Sequence, residues 1–122
     1  MPYAAITYDI KSGCENEVAE VFSTFQRPKS PLVPGDDGKP AGRILATAVF
    51  IRDSTLVRFI EYEGDLDAVA RFMAGQPGVQ DVERKLAPYL NKPRDTATVD
   101  GFVRTFNSSM LRCITQFSVD RG

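Results

Sequence analysis

The chain has 122 residues, 43% hydrophobic and 25% charged, which fits one compact domain with a real core and is too short for two. Lys plus Arg number 15 against 16 Asp plus Glu, a formal net charge of -1, so the electrostatic footprint of a nucleic-acid binder is missing. The histidine count is 0, which removes Ser-His-Asp and Cys-His catalysis and the usual nitrogen and sulfur ligand sets for zinc, and no metal site is expected.

The opening run MPYAAITYDI has no basic leader and no cleavage-type ending, and nothing later approaches a membrane span; a soluble cytoplasmic protein without membrane contacts is expected. Tyr3 to Ile10 is rich in β-formers and reads as a strand. Ser12-Gly13-Cys14-Glu15 fits a capping box, and Val18, Val21, Phe22 and Phe25 follow at i, i+3, i+4 and i+7, one apolar helix stripe. That helix ends at or before Arg27, because Pro28 disfavours helical geometry in the residue before it. Cys14 falls in its first turn, and Cys113 reads as a small buried residue of the last strand.

From Pro28 to Gly42 four prolines and three glycines predict a long flexible loop, spanning residues 28–43, suited to a lid over a pocket or to a plain surface excursion. Ile44 to Arg52 reads as an apolar strand joined by Asp53-Ser54 to a third strand, Leu56 to Tyr62. Pairing Arg52 with Thr55 sets Val49 opposite Arg58 and Leu45 opposite Tyr62. Both faces of this third strand are largely apolar, which suits a strand covered on both sides. Arg58 is the odd residue in it, since a guanidinium among aliphatic side chains must find a carboxylate, a carbonyl, water or a ligand.

After Glu63-Gly64-Asp65, Leu66, Val69, Phe72 and Met73 define a second helix, broken at Gly75-Gln76-Pro77-Gly78. A third has Pro77 at its first position and Val79, Val82, Leu86, Tyr89 and Leu90 inward, with Asp81, Glu83 and Arg84 on a solvated face. Asn91 to Thr96 reads as a linker, and Thr98 or Asp100 caps a short helix with Phe102, Val103 and Phe106 inward. Leu111 to Val119 is expected as the last strand. The order is the β-α-β-β-α-β pattern of a single ferredoxin-like α+β domain over residues 1–122. Its helix-free sheet face needs cover, and pairing of two sheets in a homodimer, as a dimeric α/β barrel, is the economical solution.

The run AVFIRDSTLVRFIEYEGDLDAVARFMAGQPGVQDVERKLAPYLNKPRD resembles the core of the SchA/CurD-like proteins of actinomycete type II polyketide and spore-pigment clusters. DGFVRTFNSSMLRC is similar to the same family's C-terminal part. More distantly, the hairpin and following helix resemble the tetracenomycin-type polyketide cyclases, which place a histidine at the strand position matching Arg58; this chain departs from them there. The resemblance implies a cyclase that directs aldol cyclisation of a poly-β-ketone without a cofactor. It also leaves open a cofactor-independent monooxygenase of polyketide tailoring, and a non-catalytic protein that chaperones the intermediate or docks on synthase components.

Such a pocket needs shape, a water-poor cavity and donors that polarise a carbonyl. Arg58 and Tyr62 are the expected catalytic groups, with Tyr8, Phe22, Thr47, Val49, Ile60, Phe72 and Gln116 against the aromatic polyketide intermediate and Asp9 as a further polar partner. Two roles stand open for Arg58: it faces the ligand, or it forms a structural pair with Glu61, Glu63 or Glu83.

Overall fold

A computed structural model of the chain describes residues 2–25, 32–34, 40–117 and 119. Strands β1 (Tyr3–Asp9), β2 (Leu32–Pro34), β3 (Pro40–Arg52) and β4 (Thr55–Gly64) form one antiparallel sheet in the order β1-β4-β3-β2. Helices α1 (Glu15–Ser23), α2 (Leu66–Ala74), α3 (Pro77–Leu86) and α4 (Val99–Ser108) accompany it, and a 3₁₀ turn at Ala87–Tyr89 follows α3. The molecule is an α+β protein, as its alternating periodicities predict.

The residues of one parity, Ala4, Ile6, Tyr8 and Ile10 of the first strand region and Leu56, Arg58 and Ile60 of β4, are buried. They share a core with Val18 and Val21 of α1, Val69 and Met73 of α2, Val79, Val82 and Leu86 of α3, and Phe102 and Phe106 of α4. Burying these side chains is the main stabilising term, each worth about 1.5–3 kcal/mol relative to an exposed position. The other sheet face lies away from this core.

The hairpin register follows expectation at its turn, with Arg52 opposite Thr55 and Val49 opposite Arg58. Further along, Ile44 rather than Leu45 lies opposite Tyr62, because the register shifts between Ile44 and Ala46 and leaves Leu45 as the extra residue of a bulge. Turn geometry fixes register only up to the first bulge.

Other expectations meet the structure unevenly. The breaks at Gly75-Gln76 and the Thr98 cap are as read: Thr98 Oγ1 accepts from Gly101 N at 3.0 Å. Asp65 caps α2, its carboxylate accepting from Asp67 N at 3.1 Å. The Ser12–Glu15 capping box does not form; Gly13 turns the chain at φ 83 and the helix starts one residue after Cys14, which makes no side-chain cap bond. The expected loop over 28–43 is not loop throughout, since β2 lies within it and β3 begins at Pro40; residues 26–31 and 35–39, with the lid expectation, lie outside the described residues.

The strand expected over Leu111 to Val119 is absent among the described residues. Thr7 N donates to Ser109 O at 2.9 Å, Leu111 N donates to Ala5 O at 2.8 Å, and Ile6 bridges to Met110. Beyond that the chain leaves the free edge of β1, and a segment without a ladder partner has nothing to hold it as a strand. Cys113 is therefore exposed rather than a buried strand residue.

Gly64, at φ 91, packs so that a Cβ would collide with the Ala41 carbonyl oxygen and come within 2.6 Å of Gly42 Cα. Gly13 also has positive φ, 83, but a Cβ there meets nothing within 4 Å. Gly64→Ala is expected to cost more than the roughly 1–2 kcal/mol of left-handed backbone strain that Gly13→Ala incurs. Thermal unfolding of the two variants checks the order, and equal melting temperatures would show that the β3–β4 approach at Gly64 is not tight.

Candidate functional site

β1 and β4 set the site. Ile6 is opposite Arg58 and Tyr8 is opposite Leu56, so Tyr8 and Arg58 are diagonal neighbours on the core side, a spacing that long side chains cross. The Arg58 guanidinium lies in hydrogen-bonding reach of the Tyr8 hydroxyl, which accepts from it. Its Cζ is 5.3 Å from the centre of the Phe25 ring, just past the end of α1. Arg58 is only 4% exposed, and its Nε has no hydrogen-bond partner. A cation in that setting is held by ring quadrupole and phenol oxygen in place of water.

A second guanidinium reaches the same tyrosine. Arg94 Cζ sits 4.0 Å over the Tyr8 ring. Arg94 Nη2 and Nε donate to Glu83 Oε1 at 3.3 and 3.4 Å, and both side chains of this pair are nearly shut off from water. Glu83 Oε2 is buried without a hydrogen-bond partner. The segment carrying Arg94 is pinned upstream: Leu90 bridges to Ile10, and Asn91 Nδ2 donates to Asp9 Oδ1 at 2.8 Å and to Ile10 O at 3.1 Å.

Tyr8 feels all three charges. Burial, foremost, and then the Glu83 carboxylate push its pKa above the ordinary 10.0, while Arg58 and Arg94 pull the other way. The phenol is thus a neutral donor at physiological pH.

Of the residues expected at the site, Arg58, Tyr8 and Ile60 lie together on the core side, buried. Val49, opposite Arg58, is 37% exposed, and Thr47, opposite Ile60, is also exposed, so the β3 side of the cluster is open. Phe22 and Phe72 are half-buried against the core. Asp9 is exposed and serves Asn91. Tyr62 shares the parity of Arg58 and Ile60 and packs against the core, but with Gln116, Tyr3, Phe59, Glu61 and Phe117 it also lines a groove of about 940 Å³ between the sheet and the segment after α4.

Glu83 is buried against α3's core side rather than on a solvated face, and it pairs with Arg94 instead of Arg58. Glu61 points to the opposite face from Arg58, beside Tyr3 and Ala46. Sequence reading missed Phe25 and Arg94 as members of the cluster. It passed over a signal for Glu83, since Val79, Val82, Glu83 and Leu86 fall at i, i+3, i+4 and i+7, on the buried stripe.

An antiparallel sheet with accompanying helices makes this an α+β protein. Its fold is similar to that of tetracenomycin F2 cyclase from Streptomyces glaucescens, described as a type-II polyketide cyclase, with a TM-score of 0.57 and 14% identity, covering 98% of this chain and 100% of that one. At that identity the likeness is one of fold. The chain belongs to the SchA/CurD like domain family, which matches residues 1–119.

It is 33% identical over 110 residues to a 42.8 kDa protein in the whiE locus of Streptomyces coelicolor, covering 90% of this chain and 26% of that protein. It is 37% identical over 91 residues to polyketide synthase CurD of Streptomyces cyaneus, covering 75% of this chain and 23% of CurD. Protein SchA of Streptomyces halstedii is likewise 37% identical over 91 residues, with 75% and 22% covered. The chain spans roughly a quarter of the length of these relatives.

With its pKa raised above 10.0, Tyr8 keeps its proton in the folded protein where the unfolded chain has lost it. The stability contributed this way is intact below pH 10.0 and declines as pH climbs through the raised value. Wild-type melting temperature is therefore expected to fall faster above pH 10 than that of Tyr8→Phe, which has no phenol to ionise. Parallel curves for the two proteins would mean that Tyr8 titrates like a solvent-exposed tyrosine.

Proposed function

We propose that this domain binds an aromatic polyketide intermediate of type II biosynthesis and directs its aldol cyclisation, with Arg58 and Tyr8 as the working groups. The observation that carries the reading is a buried guanidinium with a free Nε donor beside a neutral phenol on the core side of the sheet. The family match, the names of the relatives and the fold of the tetracenomycin cyclase support the same chemical setting.

In this mechanism a ketone oxygen of the substrate accepts from Arg58 Nε and the Tyr8 hydroxyl. An enol carbon elsewhere on the folded chain attacks the carbonyl carbon, a C–C bond forms, and the carbonyl π pair moves onto oxygen. The Arg58 charge stabilises the developing alkoxide, which then takes up the proton released from the enol. No histidine is needed, because a fixed cation and a phenol supply the electrostatics and the pocket supplies proximity. Ile60, Phe22 and Phe72 contribute apolar wall, and Thr47 and Val49 border the open side through which substrate arrives. No cofactor takes part. Tyr62 and Gln116, which line the groove beside the segment after α4, are assigned to that groove instead of to catalysis.

We place the domain in a ferredoxin-like, dimeric barrel arrangement, in which a second copy covers the outer sheet face. Phe50 on that face is 61% exposed, and Ile114, Phe117 and Val119 of the segment after α4 are 84%, 86% and 71% exposed. That much unpaired apolar surface beside one sheet suits a self-complementary two-fold interface.

Arg58→Met keeps most of the side-chain volume and loses the charge and its donors. Product formation is expected to fall about 100-fold, the typical effect of removing a transition-state donor, with little change in melting temperature. Reconstitution with the synthase and its tailoring enzymes, followed by mass spectrometry of the products, reads the first quantity. Unchanged yield would remove Arg58 from the chemistry, and a large loss of stability would make it structural.

Light scattering at micromolar concentration is expected to give the mass of two chains for the wild type and of one for a Phe50→Glu, Phe117→Glu double variant. A monomeric wild type would end the dimer assignment.

A further inference from the structure

Two buried polar atoms of opposite character stand without hydrogen-bond partners, Arg58 Nε and Glu83 Oε2. Their residues are 4% and 6% exposed. Both flank Tyr8, Arg58 through its contact with the hydroxyl and Glu83 through Arg94, whose guanidinium lies over the ring. Arg94 occupies Glu83 Oε1 through two nitrogens, which leaves Oε2 as the acceptor that remains. A buried donor or acceptor left unsatisfied costs on the order of 1–3 kcal/mol, more where charge is involved, so a protein keeps such groups where something else meets them.

We propose that Glu83 is a ligand-binding residue of this site, its Oε2 accepting a hydrogen bond from a hydroxyl of the bound molecule while Arg58 Nε donates to a ketone oxygen of the same molecule. The ligand class is a flat hydroxyketone: an enolised β-dicarbonyl, or a phenol carrying a ketone. Arg94 fixes the carboxylate in place through Oε1. This rests on the ligand site of the preceding section and adds the specificity, since a carboxylate with no proton of its own rejects a ligand that presents only acceptors. Glu83 and Arg94 both fall in the ERKLAPYLNKPRD stretch, so one short run of sequence supplies the acceptor and its clamp.

The test uses three naphthyl methyl ketones, one with a free ring hydroxyl, its methyl ether, and the ketone without the hydroxyl. Binding to the purified chain is followed by ligand fluorescence or by NMR. Wild type is expected to bind the free hydroxyketone roughly tenfold or more tightly than the ether, the worth of a hydrogen bond to a charged group. Glu83→Gln is expected to bring the two within about threefold, because the anionic acceptor is gone while side-chain shape is kept.

If wild type binds all three ketones alike and Arg58→Met weakens all three, the Glu83 assignment falls and the ligand site stands. Binding of none of the three overturns the ligand site and the assignment together. The wild-type comparison of hydroxyketone with ether decides the matter even if Glu83→Gln does not fold. A retained preference in a folded Glu83→Gln also overturns the assignment.

Discussion

The guanidinium of Arg58 buried on the apolar face of the central strand is the constraint on which the rest of the structure depends. Removing an ion from water costs several kcal/mol even after local relaxation. The fold answers with an aromatic ring and a phenol oxygen, and the Glu83 carboxylate acts on the same phenol. That carboxylate is committed to Arg94, so the cluster holds two guanidiniums and one carboxylate around Tyr8. Hydrophobic isosteres would pack such a site with less desolvation cost, so the cluster is a poor source of stability.

Each neighbouring element is positioned by this cluster. The end of α1 delivers Phe25, the buried stripe of α3 delivers Glu83, and the segment after the 3₁₀ turn is tied to Asp9 and Ile10 so that Arg94 turns inward. Tyr8 is the common contact because the antiparallel register sets it one diagonal step from Arg58. A residue read as part of a linker is therefore held in defined contacts, with Glu83 and the Tyr8 ring. Its order comes from backbone pairing at Leu90 and Asn91, not from helical or strand periodicity.

Local pattern made much of this legible. Alternation marks β1, β3 and β4, apolar stripes mark α1 to α4, and the odd charge in an apolar strand points to Arg58. Arg94 was illegible because the cation–ring contact spans most of the chain, and nothing local in Asn91 to Thr96 distinguishes an inward arginine from a solvated one. Glu83 was legible and misread: its charge argued for solvent while its position on the Val79, Val82, Leu86 stripe argued for the core, and a buried partner allowed position to win. The 111–119 run shows the opposite failure. Its β-formers predict a strand, but propensity supplies no ladder partner, and past Leu111 the chain has left the edge of β1.

The period of two along β4 separates two surfaces of the sheet. Arg58 and Ile60 point into the core-side cluster, while Phe59 and Glu61 point into the groove under the segment after α4. One strand thus carries the proposed ligand site on one face and the proposed dimer surface on the other. The hairpin turn alone keeps Thr47 and Val49 of β3 in step with the Arg58 side and Ala46 with Glu61 on the groove side; the bulge at Leu45 acts only beyond them, setting Ile44 opposite Tyr62. Had the bulge been absent, continued one-to-one pairing from the hairpin turn would set Leu45 opposite Tyr62, and the first residues of β3 would change faces relative to β4. The extra residue therefore lets Gly42 meet Gly64 at the narrow end of the hairpin while leaving the rim of the cluster undisturbed.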